Sequence, residues 1–175
     1  MSSAWEKYKH QWRQLEVPAH HLLLKEGEVC KKVYLIKQGA ARTWFDGRDK
    51  EICFQFFFEG DVVYASESLR KGTPSPFNIE TMEPSTLYWI EAAGLDEIRQ
   101  DAALYNQILD KVVERQEEFM QRFFTFLKDS PQQRYEDLLK HKPEIIRRVP
   151  LQYIASYLGI TQVSLSRIRA RSRSI

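Results

Sequence analysis

The side chains best suited to chemistry lie near the end of the chain, where three residue types that read bases share one face of a possible helix. They are Gln162, Val163 and Arg167. Gln pairs with adenine, Arg reaches O6 and N7 of guanine, and Val contacts the methyl group of thymine. Neighbouring polar groups suit phosphates, which fix position without reading sequence; these groups belong to Ser164, Arg169 and Arg171. The segment therefore predicts contacts with double-stranded DNA.

The residues around this segment predict how such a helix is held. A first helix has an apolar inner face and a small residue where a second helix must cross it closely. A glycine follows four residues after the small residue, and an apolar residue comes six positions later, which is the helix-turn-helix pattern. A threonine at the start can cap the second helix. The positions are Leu151, Ile154, Ala155, Leu158, Gly159, Thr161, Leu165 and Ile168. The alternative is a plain helical hairpin with solvated arginines.

The charge is divided unevenly along the chain. Residues 134–175 contain nine Lys or Arg and three Asp or Glu, a balance of +6, whereas the whole chain carries +2. The remainder therefore carries −4. A basic end on an acidic body predicts that this end meets a polyanion.

Residues 20–90 have the pattern of a β domain, and an amphipathic helix over Trp5–Leu15 is predicted before it. Short apolar runs alternate with turn residues, and Asp46-Gly47 is a hairpin signal. This spacing predicts an antiparallel sandwich or jelly roll. Several aromatic residues could line an effector cavity or fill the core, and filling is favoured. They are Phe54, Phe56, Phe58 and Tyr64.

A long helix is predicted over residues 101–128, with a heptad-like apolar seam. The seam consists of Leu109, Val112, Gln116, Phe119, Phe123 and Phe126. A second strip beside it consists of Val113, Met120, Phe124 and Leu127. Two strips predict that one face docks inward while the other pairs in a homodimer, with polar Gln116 fixing the register. The alternative is a stripe that packs on its own β domain.

The domain organisation follows from these elements. We predict a sensor domain over residues 1–100, a dimerisation helix over 101–128 and a helix-turn-helix domain over 129–175. Asp129 or Ser130 can cap the next helix, whose inward residues are predicted to be Tyr135, Leu138 and Leu139. The fold class is α+β, with an antiparallel β-roll followed by a small all-α domain.

With these motifs the chain resembles the Crp/Fnr superfamily of bacterial transcription regulators. The resemblance rests on Leu24-Lys-Glu-Gly-Glu through Val33-Tyr-Leu-Ile-Lys-Gln-Gly, on Phe58-Glu-Gly-Asp-Val, and on residues 149–170. It implies a cyclic-nucleotide-binding-type β-roll, a dimer helix and a DNA-binding domain. It further implies a homodimer reading a palindromic operator, with RNA polymerase as a partner. The chain stops a few residues after the second helix, so the family's β-hairpin wing is expected to be absent, and Arg169, Arg171 and Arg173 could replace its phosphate contacts.

The chain departs from the family where cyclic AMP is bound. Members that bind it open the phosphate-binding cassette with Gly-Glu and place an Arg-Ser or Arg-Ala pair about ten residues later. Here Tyr64-Ala65 and Ser75-Pro76 occupy those places, and the lost charge-assisted contact disfavours a cyclic nucleotide. Glu67 and Arg70 could serve a shifted alignment. The candidate effector pocket thus comprises Tyr64, Ala65, Glu67, Arg70 and Ser75.

Other functional classes have less support. A cupin-type metal site needs a His-x-His pair, and the four histidines here offer only the adjacent His20-His21, so we predict no metal, no cofactor and no catalytic residue. Cys30 and Cys53 are predicted to be reduced core thiols rather than a disulfide. No membrane-spanning run or signal peptide is evident, which predicts a cytoplasmic protein without a membrane partner. The rival to a regulator is a ligand-binding or protein-interaction module with a vestigial helix-turn-helix.

Overall fold

The computed structural model describes residues 8–172, and its β part forms a β-roll of two four-stranded antiparallel sheets. The strands are β1 Arg13–Val17, β2 Leu22–Leu24, β3 Lys32–Gln38, β4 Ala41–Asp46, β5 Glu51–Phe57, β6 Val62–Val63, β7 Asn78–Thr81 and β8 Ser85–Glu91. One sheet has the order β1-β8-β3-β6 and the other has the order β2-β7-β4-β5. The predicted jelly-roll-like class is therefore confirmed.

The helices follow the β-roll, apart from one that lies within it. They are α1 Ser66–Lys71, α2 Leu95–Gln100, α3 Ala102–Lys128, α4 Pro131–His141, α5 Pro143–Arg148, α6 Leu151–Tyr157 and α7 Gln162–Ser172. Within the described residues no helix has both the length and the apolar character needed to cross a membrane. Likewise, no three His, Cys, Asp or Glu side chains of residues 8–172 lie close enough to hold a metal ion.

The chain forms two compact units by its internal contacts. The first extends to Phe45 and continues over Gln55–Val112, whereas the second combines Asp46–Phe54 with the chain from Val113 onward. The tip of the β4–β5 hairpin thus belongs to the second unit by its contacts. The helix α3 begins in the first unit and ends in the second.

The core of the first unit is filled by side chains from both sheets. Val63, Ile79 and Leu87 are fully buried, and Phe57 is buried among them. Fully burying one such aliphatic side chain stabilises the fold by roughly 1.5–3 kcal/mol. Of the four aromatic residues expected to fill the core, Phe56 is buried, Phe58 and Tyr64 are partly buried, and Phe54, which belongs to the second unit, is also partly buried. Of the two free thiols, Cys30 is buried in this core and Cys53 is buried in the second unit, as expected for reduced core cysteines.

One local prediction in the first unit was wrong. Residues 5–7 lie outside the described residues, but the described part of the predicted N-terminal helix is a short 3₁₀ turn, Lys9–Gln11, followed by β1. Pairing explains the strand, because Leu15 lies opposite Leu87 of β8 and Val17 opposite Ser85.

In the second unit, the helix α4 begins where the sequence predicts, but one of its three predicted inward residues is exposed. Ser130 is its N-cap, and the Ser130 and Gln133 side chains each bond the other residue's backbone in a capping box. Tyr135 and Leu138 are buried, but Leu139 is 44% exposed. Neighbouring helical residues point about 100° apart, and here Leu138 faces inward while Leu139 faces away.

Candidate nucleic-acid interface

The helices α6 and α7, called the helix pair here, are packed as the spacing of their residues predicts. Ile154 and Ala155 are buried on the first helix and Leu158 is buried directly after it, and Leu165 and Ile168 are buried on the second. Leu165 is fully buried, which fixes the rotation of α7 about its own axis. The two helices contact each other directly.

The turn between the helices depends on Gly159. Its φ of +68° lies in the left-handed region, where a side chain is disfavoured. A Cβ at this position would stand 2.6 Å from Cε1 of Phe126, so the glycine also lets the turn approach helix α3 closely. After the turn, the Oγ1 of Thr161 accepts a hydrogen bond from the Ser164 amide at 3.1 Å and so caps α7.

We expect Gly159→Ala to lower the free energy of unfolding by about 1–3 kcal/mol, because it adds backbone strain and a clash with the Phe126 ring. Urea denaturation at fixed protein concentration measures this loss. Gly60→Ala is the matched control, since Gly60 has a φ of +86° but nothing within 4 Å of its would-be Cβ. An equal loss in both variants would contradict the role assigned to the Phe126 contact.

The outer face of α7 carries the residues predicted to touch DNA. Gln162, Val163 and Arg167 are exposed, and Val163 is 60% exposed. The phosphate candidates Arg169 and Arg171 lie in the last turn, with Arg169 half-buried and Arg171 exposed. The Ser164 hydroxyl lies 2.9 Å from the Thr161 hydroxyl, so that hydrogen bond competes with a phosphate contact. The assignment of these six residues to bases and phosphates stays a prediction.

Two arginines that the sequence analysis did not single out connect the helix pair to neighbouring parts of the second unit. Arg134 donates to the Leu158 carbonyl at 3.1 Å and to the Asp129 carbonyl at 2.9 Å, and its guanidinium lies 4.6 Å from the centroid of the Phe126 ring. Arg122 lies 4.3 Å from the centroid of the Tyr157 ring. These cation–π contacts fix the end of α3 against the helix pair. No spacing rule in the sequence identifies them.

The hairpin tip, Asp46–Phe54, also contacts the helix pair. The Ser156 hydroxyl accepts a hydrogen bond from the Cys53 amide at 2.9 Å and donates one to the Glu51 carbonyl at 2.8 Å. A cavity of about 420 Å³ lies beside this contact, and its lining includes Lys50, Glu51, Gln152, Thr161 and Gln162. The cavity therefore adjoins the beginning of both helices of the pair.

The exposed surface of α3 includes both apolar strips. Along the seam, Leu109, Val112, Phe119 and Phe123 are 38–52% exposed, whereas Phe126 is half-buried. The second strip is at least as open, with Val113, Met120, Phe124 and Leu127 between 46% and 71% exposed. The expectation that one of the two faces docks inward is met by neither strip, apart from the half-buried Phe126. Both strips are open for a contact outside the chain.

The candidate effector residues of the β-roll lie in two different environments. Ala65 and Ser75 are buried, and the Ser75 hydroxyl donates to the Phe77 carbonyl at 2.7 Å. Glu67 and Arg70 are exposed on α1. The Lys71 ammonium donates to the Glu67 carboxylate at 2.6 Å and lowers the pKa of that carboxyl. The use of these residues, with Tyr64, as an effector pocket stays a prediction.

The helix α1 is held by a buried serine. The Ser68 hydroxyl accepts the Cys30 amide at 2.8 Å and donates to the Thr73 carbonyl. Burial raises the pKa of the Cys30 thiol, which keeps it protonated and unreactive at neutral pH. Burial, together with the nearby Cys30, also raises the pKa of Tyr34 to about 12. These groups therefore act as packed core and not as nucleophiles.

Comparison with known proteins places the chain in a family. The model of the cyclic nucleotide-binding domain matches residues 14–102, and the chain belongs to that family. No curated protein matches the chain. Over its whole length the chain has the fold of Crp/Fnr regulators, as the next comparisons show.

Three solved structures illustrate the fold. The regulator CLP of Xanthomonas campestris, described as responsive to c-di-GMP, superposes with a TM-score of 0.78 at 15% identity, over 99% of this chain and 92% of that one. A Crp/Fnr family regulator of Eubacterium rectale gives 0.74 at 18% identity, over 99% and 84%. A CooA mutant of Carboxydothermus hydrogenoformans gives 0.76 at 16% identity, over 96% and 79%. These neighbours are regulators and not enzymes by their descriptions.

Proposed function

We propose that the protein is a homodimeric, cytoplasmic transcription regulator that reads double-stranded DNA through α7. The observation that carries this proposal is the exposed face of α7, where Gln162, Val163 and Arg167 stand opposite the fully buried Leu165. A helix held by its inner face and bearing base-reading side chains on its outer face suits the major groove. The helix pair then acts as a helix-turn-helix.

The charge distribution supports the same proposal. The basic C-terminal part of the chain, with a balance of +6 over residues 134–175, includes Arg167, Arg169 and Arg171 on α7. Neutralising phosphates releases counterions, so binding should weaken steeply as salt rises. A vestigial helix pair should show neither this salt dependence nor sequence selectivity.

A homodimer explains the open seam of α3. Two copies that pair along Leu109, Val112, Phe119 and Phe123 would cover side chains that are otherwise in water. Pairing about a two-fold axis presents two α7 helices, so the operator should be an imperfect palindrome. Its half-sites should be about 34–36 Å apart, one turn of B-DNA. RNA polymerase is the partner we expect for such a regulator.

For the effector of the β-roll, we propose only that one class of ligand, the cyclic nucleotides, is excluded. The place at which family members that bind cyclic AMP carry an arginine is occupied by Ser75, which is buried and already bonded to the Phe77 carbonyl. A cyclic phosphate would therefore lack its main charge-assisted contact at that position. We propose that the protein does not respond to a cyclic nucleotide and uses no cofactor.

The test is selection of a binding site from randomised DNA with the wild type and Arg167→Ala. We expect a palindromic motif for the wild type and an affinity about 5–150-fold lower for the variant, with relaxed preference at the guanine it reads, since a bidentate contact contributes about 1–3 kcal/mol. Arg70→Ala is the matched control, because Arg70 is equally exposed but lies on α1.

Two outcomes would contradict the proposed function. One is a wild-type protein that enriches no sequence, both alone and with cell extract added as a source of effector. The other is an Arg167→Ala variant with unchanged selectivity, which would remove α7 as the reading element even if DNA is bound.

A further inference from the structure

The hairpin tip meets the helix pair at the open edge of a sheet. Strand β5 is the last strand in its order among the described strands, so one of its edges has no strand beside it. The Glu51 carbonyl and the Cys53 amide are two residues apart and point toward the same edge, since direction alternates along a strand. One hydroxyl, that of Ser156, bonds both groups. The Ser156 hydroxyl thus bonds two backbone groups that a neighbouring strand would otherwise bond.

A second contact strengthens this attachment. Arg122 donates a hydrogen bond to the Phe54 carbonyl at the end of the hairpin tip, and its guanidinium also lies over the Tyr157 ring. Two successive residues of α6 are therefore linked to the hairpin tip, Ser156 directly and Tyr157 through Arg122. The hairpin tip and α6 are expected to move as one piece while these contacts hold.

The position of the hairpin tip matters because of what it shares with the helix pair. Lys50 and Glu51 line the same cavity as Gln152, Thr161 and Gln162. In a helix-turn-helix the first helix crosses the DNA backbone and the beginning of the second helix contacts the bases. DNA seated on Thr161 and Gln162 must therefore enter the space beside the hairpin tip. The tip is also unfavourable for phosphates, because Asp46, Asp49 and Glu51 outnumber Arg48 and Lys50.

We propose that the hairpin tip is an autoinhibitory contact, held on the helix pair by Ser156, that competes with DNA for the beginning of α7. This proposal rests on the proposed function and adds a regulatory element to it. Any event that withdraws the hairpin tip raises DNA affinity. By linkage, DNA binding must loosen the hairpin tip by the same factor.

The experiment combines hydrogen exchange with DNA titration on the full chain. Ser156→Ala removes both hydrogen bonds, and Ser156→Thr keeps the hydroxyl as the matched control. We expect the amides of residues 51–54 to exchange about five-fold faster in Ser156→Ala and DNA affinity to rise by a similar factor, the effect of about 1 kcal/mol of hydrogen bonding. Ser156→Thr should behave as the wild type. Adding DNA to the wild type should speed exchange in the same four residues.

The possible outcomes distinguish failure of the proposed autoinhibition from failure of the proposed function. If Ser156→Ala exchanges faster but binds DNA equally or more weakly, the serine only covers a strand edge and the autoinhibition is overturned. If that variant fails to fold, the wild-type arm decides, because slower or unchanged exchange on adding DNA overturns the proposal. If the wild type selects no DNA sequence at all, the proposed function fails, and this inference fails with it.

Discussion

Glu80→Gln is expected to lower the free energy of unfolding by about 3–5 kcal/mol, because it leaves the Arg42 guanidinium buried without its carboxylate. Arg42 lies opposite Glu80 across β4 and β7, and its Nη2 atom is 2.8 Å from Glu80 Oε2. Their side chains are only 3% and 8% exposed. The other carboxylate oxygen is 2.9 Å from Nδ1 of His20. Urea denaturation should show a lower midpoint at an unchanged slope.

An exposed ion pair supplies the control for this loss. Glu67→Gln removes the same charge from the pair with Lys71, whose side chains are 64% and 48% exposed, and should lower stability far less than Glu80→Gln, because solvent screens an exposed pair. A double variant, Arg42→Met with Glu80→Leu, should recover most of the stability, since it removes both buried charges. Protein concentration must be held fixed, because dimerisation shifts apparent stability. Equal losses in Glu80→Gln and Glu67→Gln would show that burial of the pair is not what matters.

The helix pair is the part of the molecule that sequence reasoning predicts best. Ala155, Gly159 and Leu165 lie within one short segment, and their roles depend on local geometry: a close crossing, a positive φ and an inner face. The structure shows all three, with Ala155 and Leu165 buried and Gly159 at φ +68°. A pattern that needs no distant partner can be identified from spacing alone.

Elements that depend on distant partners were predicted less well. The period of Tyr8, Trp12 and Leu15 fits a helix, but pairing of Leu15 with Leu87 makes the end of this region, from Arg13, a strand. The helix α1 has no apolar period, and a buried Ser68 that bonds Cys30 and Thr73 holds it instead. Tertiary contacts of this kind override local preference.

In the candidate site, too, features that depend on local spacing could be predicted from the sequence, whereas features that depend on distant contacts could not. Exposure of Gln162, Val163 and Arg167 follows from the buried side of α7, so the sequence is sufficient to predict it. The support from Arg122 and the contact of Ser156 with the hairpin tip are different. Ser156 is an ordinary serine in its own helix, and only the fold brings it to the edge of β5. Its partner atoms are backbone groups, which leave no trace in the sequence.

The second large effect is expected at the α3 seam, where Phe123→Glu should abolish the proposed dimer. Phe123 is 52% exposed in the single chain, and its ring packs edge-on to Phe124 with centroids 6.4 Å apart. Pairing about a two-fold axis brings the substituted position of both copies into the same seam, so two carboxylates would be desolvated near each other. Sedimentation velocity should show a monomer for this variant and a dimer for the wild type.

Loss of the dimer should appear in DNA binding as loss of avidity. We expect the affinity of Phe123→Glu for a full palindrome to fall on the order of 100-fold, because the second half-site is no longer bound intramolecularly. Affinity for an isolated half-site should be unchanged, since α7 is intact. Leu139→Glu is the matched control, because Leu139 is 44% exposed on α4 and belongs to neither strip. Phe124→Glu tests the second strip in the same way, and a dimer that survives Phe123→Glu but not Phe124→Glu would move the interface to that strip.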